Sequence, residues 1–200
     1  YRPLAEAVGE GARDVDCVIS LALLVDAEAL EAVGGFDTNY FILFEDLDLS
    51  WRLRTSGWRL RVAADVCVQH RAGTAGVSFR KGPSYPAQRL FFHARNRWLF
   101  LLGNLRWRTL FLLAPVLLLY ELAGFCLALA SGHPLSWIEG ELAVVGGLRR
   151  IAAARRRNQA GRCLRDKDLL VGGPLTPTPD AVRGLRGVLY GALSGITSAW

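Results

Sequence analysis

Gly34-Gly35-Phe36-Asp37, then Phe41-Ile42-Leu43-Phe44, then Glu45-Asp46-Leu47-Asp48-Leu49-Ser50-Trp51-Arg52-Leu53, and finally Gly57-Trp58 form the stretch that decides how this chain reads. Asp26 is a good N-cap for a short helix with Glu28 in its first turn, and Gly34 sits where a helix end wants a left-handed residue. Gly35, Phe36 and Asp37 make a loop, and an apolar run follows. Glu45, Asp46 and Asp48 then open a second helix, at the end where the helix dipole favours negative charge. Asp48 and Arg52 are four apart and can pair on one face, Leu49 and Leu53 share an apolar face, and Gly57 stops the helix.

Outward from this stretch, the pattern is α/β. The apolar residues among 15–25 (Val15, Val18, Ile19, Leu21, Leu23, Leu24 and Val25) suit a buried strand. Residues 58–62 alternate as a half-exposed strand, and Val66, Val68 and His70 alternate as another that ends at the histidine. Residues 73–86, rich in Gly, Ser, Thr and Pro, mark a boundary. A helix is expected over about 87–102, carrying Arg89, Arg95 and Arg97 among aromatics. Residues 109–132 are almost wholly apolar, with Glu121 the one charge and Pro115 an interruption. That length suffices to cross a bilayer, which takes about 20 apolar residues. Basic residues flank both ends, and Glu121 counts against a clean span. A re-entrant hairpin or an interfacial helix pair is therefore favoured.

The 200 residues carry a net charge of +6, are 52% hydrophobic and contain no methionine. The chain starts at Tyr1, so it reads as a segment of a longer protein, with no signal peptide visible at its start. Nearly all the positive charge is arginine. Arg149, Arg150, Arg155, Arg156, Arg157, Arg162, Arg165 and Lys167 crowd one stretch just after the apolar helices, which favours anionic lipid over nucleic acid as the partner. Cys17, Cys67, Cys126 and Cys163 match no zinc spacing. They read as free, mostly buried thiols in a reducing compartment.

The combined pattern resembles the second half of the GT-A catalytic domain of family 2 glycosyltransferases, especially rhamnosyltransferase-like and galactofuranosyltransferase-like members. It runs from Gly34-Gly35-Phe36-Asp37 through Glu45-Asp46-Leu47-Asp48, Arg52 and Gly57-Trp58 to the strand ending at His70. Arg95-Asn96-Arg97, and the basic stretch at residues 155–157 followed by Asp168-Leu169-Leu170, add to it. The resemblance implies a partial GT-A mixed sheet over residues 1–86, a helical membrane-associated region over 87–170, and a linker with an apolar tail over 171–200. It implies that Asp46 is the base that deprotonates an acceptor hydroxyl in an inverting sugar transfer, with Glu45 shaping the acceptor site. Asp48 pairs with Arg52 in this reading. Gly35, Phe36, Asp37 and Trp51 would line the donor and acceptor cleft, Trp51 by stacking on a sugar ring. Arg95 and Arg97 are candidates for a phosphate of the donor or of a lipid-linked acceptor. His70 is a candidate ligand for a divalent metal, Mn or Mg, in the full-length protein only.

The nucleotide-binding half of such a domain has no counterpart upstream of Val15, so this piece alone is not expected to bind a nucleotide sugar tightly. Asp46-Leu47-Asp48 could instead be the metal-gripping D-x-D, but in the resembled family that motif precedes the Gly-Gly-Phe-Asp segment. The expected partners are a nucleotide-sugar donor, a glycan or lipid-linked acceptor and a membrane. The expected place is the cell membrane, with the catalytic part facing the cytoplasm. The alternative is a non-catalytic membrane or partner module left from a truncated glycosyltransferase.

Overall fold

The computed structural model describes residues 11–63, 66–69 and 86–170. The element order is β1 (Arg13–Asp14), α1 (Ala27–Ala32), α2 (Glu45–Thr55), β2 (Arg61–Val62), α3 (Ala87–Asn104), α4 (Trp107–Ala130), α5 (Pro134–Gly146), α6 (Leu148–Ala160) and α7 (Asp166–Leu169).

β1 and β2 pair antiparallel, Arg13 with Val62 and Asp14 with Arg61, and Val15 N–H adds one bond to Leu60 O at 3.0 Å. Among the described residues this is the whole sheet. The buried strand expected over residues 15–25 is instead irregular, and Ile19, Leu21 and Leu24 are exposed. An inner strand needs a neighbour on each side to take its N–H and C=O groups. No described segment offers residues 18–25 such an edge, so the apolar run has the composition of a strand without the ladder. Val15, Val18, Leu23 and Val25 still pack on Ala29, Val33, Leu49, Leu53 and Leu60.

α1 begins as read from the sequence: Asp26 Oδ1 accepts from Ala29 N–H at 3.1 Å. It ends in a Schellman turn. Gly34 (φ +77°) donates to Glu31 O, Gly35 (φ +67°) donates to Leu30 O, and both need the left-handed region that glycine enters without strain. α2 spans the expected residues and packs its Leu49 and Leu53 on α1.

α3 to α6 form a helical layer. α3 runs past the expected 102 to Asn104, and its Leu90 and Ala94 pack with Ala128 of α4 and Trp137 of α5. Gly140 lets the α5 backbone lie against α3, where an added Cβ would stand 2.6 Å from Phe91 O and 2.9 Å from Ala94 Cβ. α4 is one unbroken helix of 24 residues despite Pro115.

Two further expectations are corrected. All four cysteines are free, but all are exposed rather than buried. The basic stretch is partly consumed inside the molecule. Arg155 Nη1 donates to Leu102 O at 2.7 Å and Leu105 O at 2.6 Å, and Gln159 and Arg162 both donate to Asn104 O. These side chains satisfy the carbonyls left open at the end of α3, which helix geometry leaves without partners. Arg162 also pairs with Asp166, and Arg157 with Asp37.

Candidate active site

The segment before α2 is the most constrained part of the backbone. Phe41, Leu43 and Phe44 have φ of 63°, 68° and 71°, a region that costs a residue with a side chain roughly 1 kcal/mol or more. Asn96, fully buried in the middle of α3, holds this turn. Its Nδ2 donates to the carbonyls of Tyr40, Ile42 and Leu43 at 2.9, 2.7 and 2.8 Å, so two hydrogens serve three acceptors. Arg95 braces the same turn: its Nη2 donates to Asn39 O at 2.7 Å and Tyr40 O at 3.0 Å, and its Nε to Asn96 Oδ1. The two residues thereby fix the entry angle of α2.

Because Phe44 enters α2 in the left-handed region, no side chain caps the helix. Its positive end is left to the carboxylates of Glu45 and Asp46. Asp46 Oδ1 accepts from Ser20 N–H at 3.0 Å, and the residue is partly exposed. Glu45 is half-buried. Its Oε2 is shielded from water and accepts no hydrogen bond, and burial pushes its carboxyl above the usual 4.5. A buried acceptor without a donor at a helix entrance suits a ligand hydroxyl.

Asp48 faces the opposite side of α2, since two positions on a helix turn through about 200°. It is buried and saturated. Arg52 Nε donates to its Oδ2 at 2.8 Å, and Arg52 Nη2 stands 2.7 Å from the same oxygen without hydrogen-bond geometry. Asn104 Nδ2 and Tyr40 Oη donate to Oδ1 at 2.7 and 3.2 Å. Burial and the Asp48 charge push the Tyr40 phenol well above 10. Arg52 Nη1 reaches on to Val33 O, tying α2 to the end of α1. The pair inferred from four-residue spacing is thus the centre of a buried network. A pocket of about 230 Å³ opens on this side, between the Asp37–Tyr40 loop, α3 and α6, with Asp48, Arg95, Arg150 and Asn158 in its wall. Asp46 is not part of that wall.

The remaining sequence-derived residues divide. Gly35 serves the Schellman turn and Phe36 is exposed. Asp37 closes a turn onto Asn39 N–H and takes Arg157 at 3.1 Å. Trp51, expected to line the cleft, is a core residue instead, edge-on to Phe100 at 5.8 Å. The reason is α2's orientation, which turns Trp51 toward α3. Arg97 is no free phosphate ligand either. It pairs with Glu121 of α4 and Glu141 of α5, and its guanidinium lies over the rings of Tyr120 and Trp137 at 4.9 and 5.1 Å. His70 lies outside the described residues. Among the described residues, no group of three or more His, Cys, Asp or Glu could hold a metal ion.

Sequence reasoning gave no role to Asn96 or Asn104. A signal was available: an Asn inside an aromatic-rich helix is a poor helix former and pays for its place only by a specific hydrogen bond.

No family model matches the chain, and no solved structure does. Similarity to characterised proteins exists at the level of a transferase class. The N-acetylglucosaminyl-diphospho-decaprenol L-rhamnosyltransferases of Mycobacterium tuberculosis, strains CDC 1551 / Oshkosh and ATCC 25618 / H37Rv, are each 34% identical to it over 90 residues. The match covers 44% of this chain and 27% of each relative. Over part of its length, the chain is related to a glycosyltransferase.

Proposed function

We propose that this chain is the acceptor-side part of an inverting glycosyltransferase of the GT-A, family 2 kind. It would transfer a sugar from a nucleotide-sugar donor to a lipid-linked glycan in cell-envelope synthesis. The observation that carries the reading is the start of α2. There an accessible Asp46 carboxylate and a donor-starved Glu45 share an uncapped helix N-terminus, behind a turn held in shape by Asn96. The partial similarity to rhamnosyltransferases whose name includes a diphospho-decaprenol supports both the reaction class and a lipid-linked acceptor.

In the proposed reaction, an acceptor hydroxyl is oriented by Glu45 and gives its proton to Asp46. The oxygen attacks the anomeric carbon as the bond to the nucleoside diphosphate breaks, and the diphosphate leaves with the electron pair. Fixing Asp46 through Ser20 N–H and the helix start keeps the base positioned before substrate arrives. A divalent metal, Mn or Mg, belongs to the donor side of the full-length protein, with His70 as one ligand in this reading. The described residues alone do not form its site, and no step is assigned to it.

The test is Asp46→Asn in the full-length protein, beside Asp48→Asn. Asp46→Asn should lower turnover by at least about 10²-fold with donor affinity and thermal stability little changed. Asp48→Asn should instead lower stability, because it weakens the buried Arg52 pair. Turnover within a few-fold of the parent in Asp46→Asn would remove Asp46 from the base position.

A further inference from the structure

Phe111, Leu118, Leu122 and Leu129 lie one above another along α4, at spacings of seven, four and seven residues, and are 81%, 69%, 61% and 53% exposed. Cys126 is exposed on the same side. A quarter-turn round α4 from the stripe, Leu110 and Ala128 are buried and Glu121 is turned inward to Arg97, while Leu112, Leu119 and Leu127 widen the exposed apolar face on the other flank. A stripe of this size facing water calls for a cover.

Basic side chains stand at the start of α4 and on α6. Among the described residues, the side chains of Arg106 and Arg108 at the start of α4, and of Arg149 and Arg156 on α6, make no ion pair, and all four are exposed. Trp107 is 64% exposed at the same end, with the Arg155 guanidinium 4.1 Å from its ring centre. An apolar face with guanidinium groups and a Trp at its start matches the surface layer of a bilayer that carries anionic headgroups.

The same contacts decide how α4 meets that layer. Residues that precede α4 and residues that follow α5 are tied together, because Arg155 of α6 donates to Leu102 O and Leu105 O. The two flanks of the apolar segment therefore lie on one side of any membrane. Polar structure also stands beside the midpoint of α4. His93 of α3 stacks on Tyr120 of α4 at 6.3 Å and on Trp137 of α5 at 6.5 Å, and it meets Phe44 edge-on at 5.5 Å. Phe44 is the residue before Glu45, in the turn whose carbonyls Asn96 holds. If α4 stood across a bilayer with Tyr120 near the middle, that turn and the start of α2 would sit in hydrocarbon, where unsatisfied polar groups are not tolerated.

We propose that α4 lies flat in the surface layer of an anionic bilayer, with the Phe111–Leu118–Leu122–Leu129 stripe in the acyl region, and does not cross it. The start of α2, with Glu45 and Asp46, is then held beside the headgroups of the same leaflet. The inference stands on the exposed stripe and the position of the turn, so loss of the Asp46 role would leave it intact.

The experiment uses the full-length protein with every cysteine but Cys126 replaced by serine, which leaves α4 unchanged. A bimane on Cys126, bound to vesicles of phosphatidylcholine and phosphatidylglycerol, should be quenched more by a lipid spin-labelled at acyl carbon 5 than at carbon 12. Arg108→Gln, Arg149→Gln and Arg156→Gln together should weaken flotation with these vesicles about tenfold or more, with little change on pure phosphatidylcholine. In sealed membranes from producing cells, with Cys126 also replaced by serine, a membrane-impermeant maleimide should modify Arg108→Cys and Ala130→Cys from the same face. Reaction of those two positions from opposite faces, or stronger quenching from carbon 12, would overturn the proposal in favour of a crossing helix. No flotation, with the bimane shielded by a second copy in lipid-free protein, would overturn it in favour of a protein interface.

Discussion

Asn96→Asp is the substitution that most directly tests how the candidate site is held. The change keeps the size of the side chain and replaces the donor NH₂ by a carboxylate oxygen. In the structure that atom faces the carbonyl oxygens of Tyr40, Ile42 and Leu43 at 2.7 to 2.9 Å. Tyr40 O keeps its bond from Arg95, but Ile42 O and Leu43 O lose their donor at about 1 kcal/mol or more each, so the loss is about 2–3 kcal/mol. A buried negative charge facing three carbonyl dipoles adds to this, so Asn96→Asp should be worse than Asn96→Ala. A domain of this size has only about 5–15 kcal/mol to lose. The assay is urea unfolding followed by tryptophan fluorescence, in one mild detergent for all variants, with Trp51 against Phe100 as a probe close to the turn. The paired control is Phe41→Gly. It relieves a left-handed residue whose ring is largely exposed, and it should change stability by no more than about 1 kcal/mol. If Asn96→Asp unfolds within about 1 kcal/mol of the parent, the turn is not held by Asn96, and the argument for a preset α2 entrance fails.

Three further outcomes are expected. Glu45→Gln should raise the melting temperature at neutral pH. The carboxyl of Glu45 is pushed up by burial, so the fold favours its protonated form; the parent loses stability as pH rises from about 4.5 through the raised value, and the variant should not. Equal melting temperatures of the two proteins from pH 4 to 8 would contradict this. His93 is held down to about 4 by burial first and by Arg97 and Arg89 next, so the unfolded chain binds its proton more readily. Stability should fall as pH drops from about 6.5 to about 4, by up to about 3 kcal/mol, and His93→Gln should flatten that part of the profile in equilibrium unfolding. Gly140→Ala sets a gain in helix propensity of about 1 kcal/mol against a Cβ placed 2.6 Å from Phe91 O. Backbone cannot swing aside as a side chain can, so a net loss of about 1–3 kcal/mol is expected in the same assay, and a gain would show that α3 and α5 do not touch there.

What the sequence disclosed follows the range of the interactions involved. The cap at Asp26, the left-handed Gly34, the span of α2 and the Asp48–Arg52 pair are set within five residues of chain, and each was legible. The strand expected over residues 15–25 was not, because a strand is completed by neighbours and the apolar run names none. Trp51 and Arg97 were misjudged for a related reason. Their residue types suit a sugar ring and a phosphate, but the partners that claim them, Phe100 and the two carboxylates Glu121 and Glu141, are 20 or more residues away. Asn96 shows the opposite case. It was noticed only as the middle of Arg95-Asn96-Arg97, yet its side chain makes the bonds that shape the site.

The arginines show how composition can point to a partner and still misplace it. As a cluster they read as a face for anionic lipid. The structure divides them by geometry: Arg155 and Arg162 turn inward onto the end of α3, Arg157 pairs with Asp37 at the surface, and Arg149 and Arg156 remain outside, as do Arg106 and Arg108. The inward group does more than neutralise charge. By closing the carbonyls that precede α4 with side chains that follow α5, it makes a loop of the whole apolar segment and fixes both of its ends to the base of α3. Asn96, on that same α3, sets the entrance of α2. A force that moved α4 relative to its surroundings would therefore reach Glu45 and Asp46 through one rigid helix. In the proposed enzyme, the helix that meets the bilayer and the carboxylate proposed as base are referred to the same element, which keeps the height of that carboxylate above the leaflet constant.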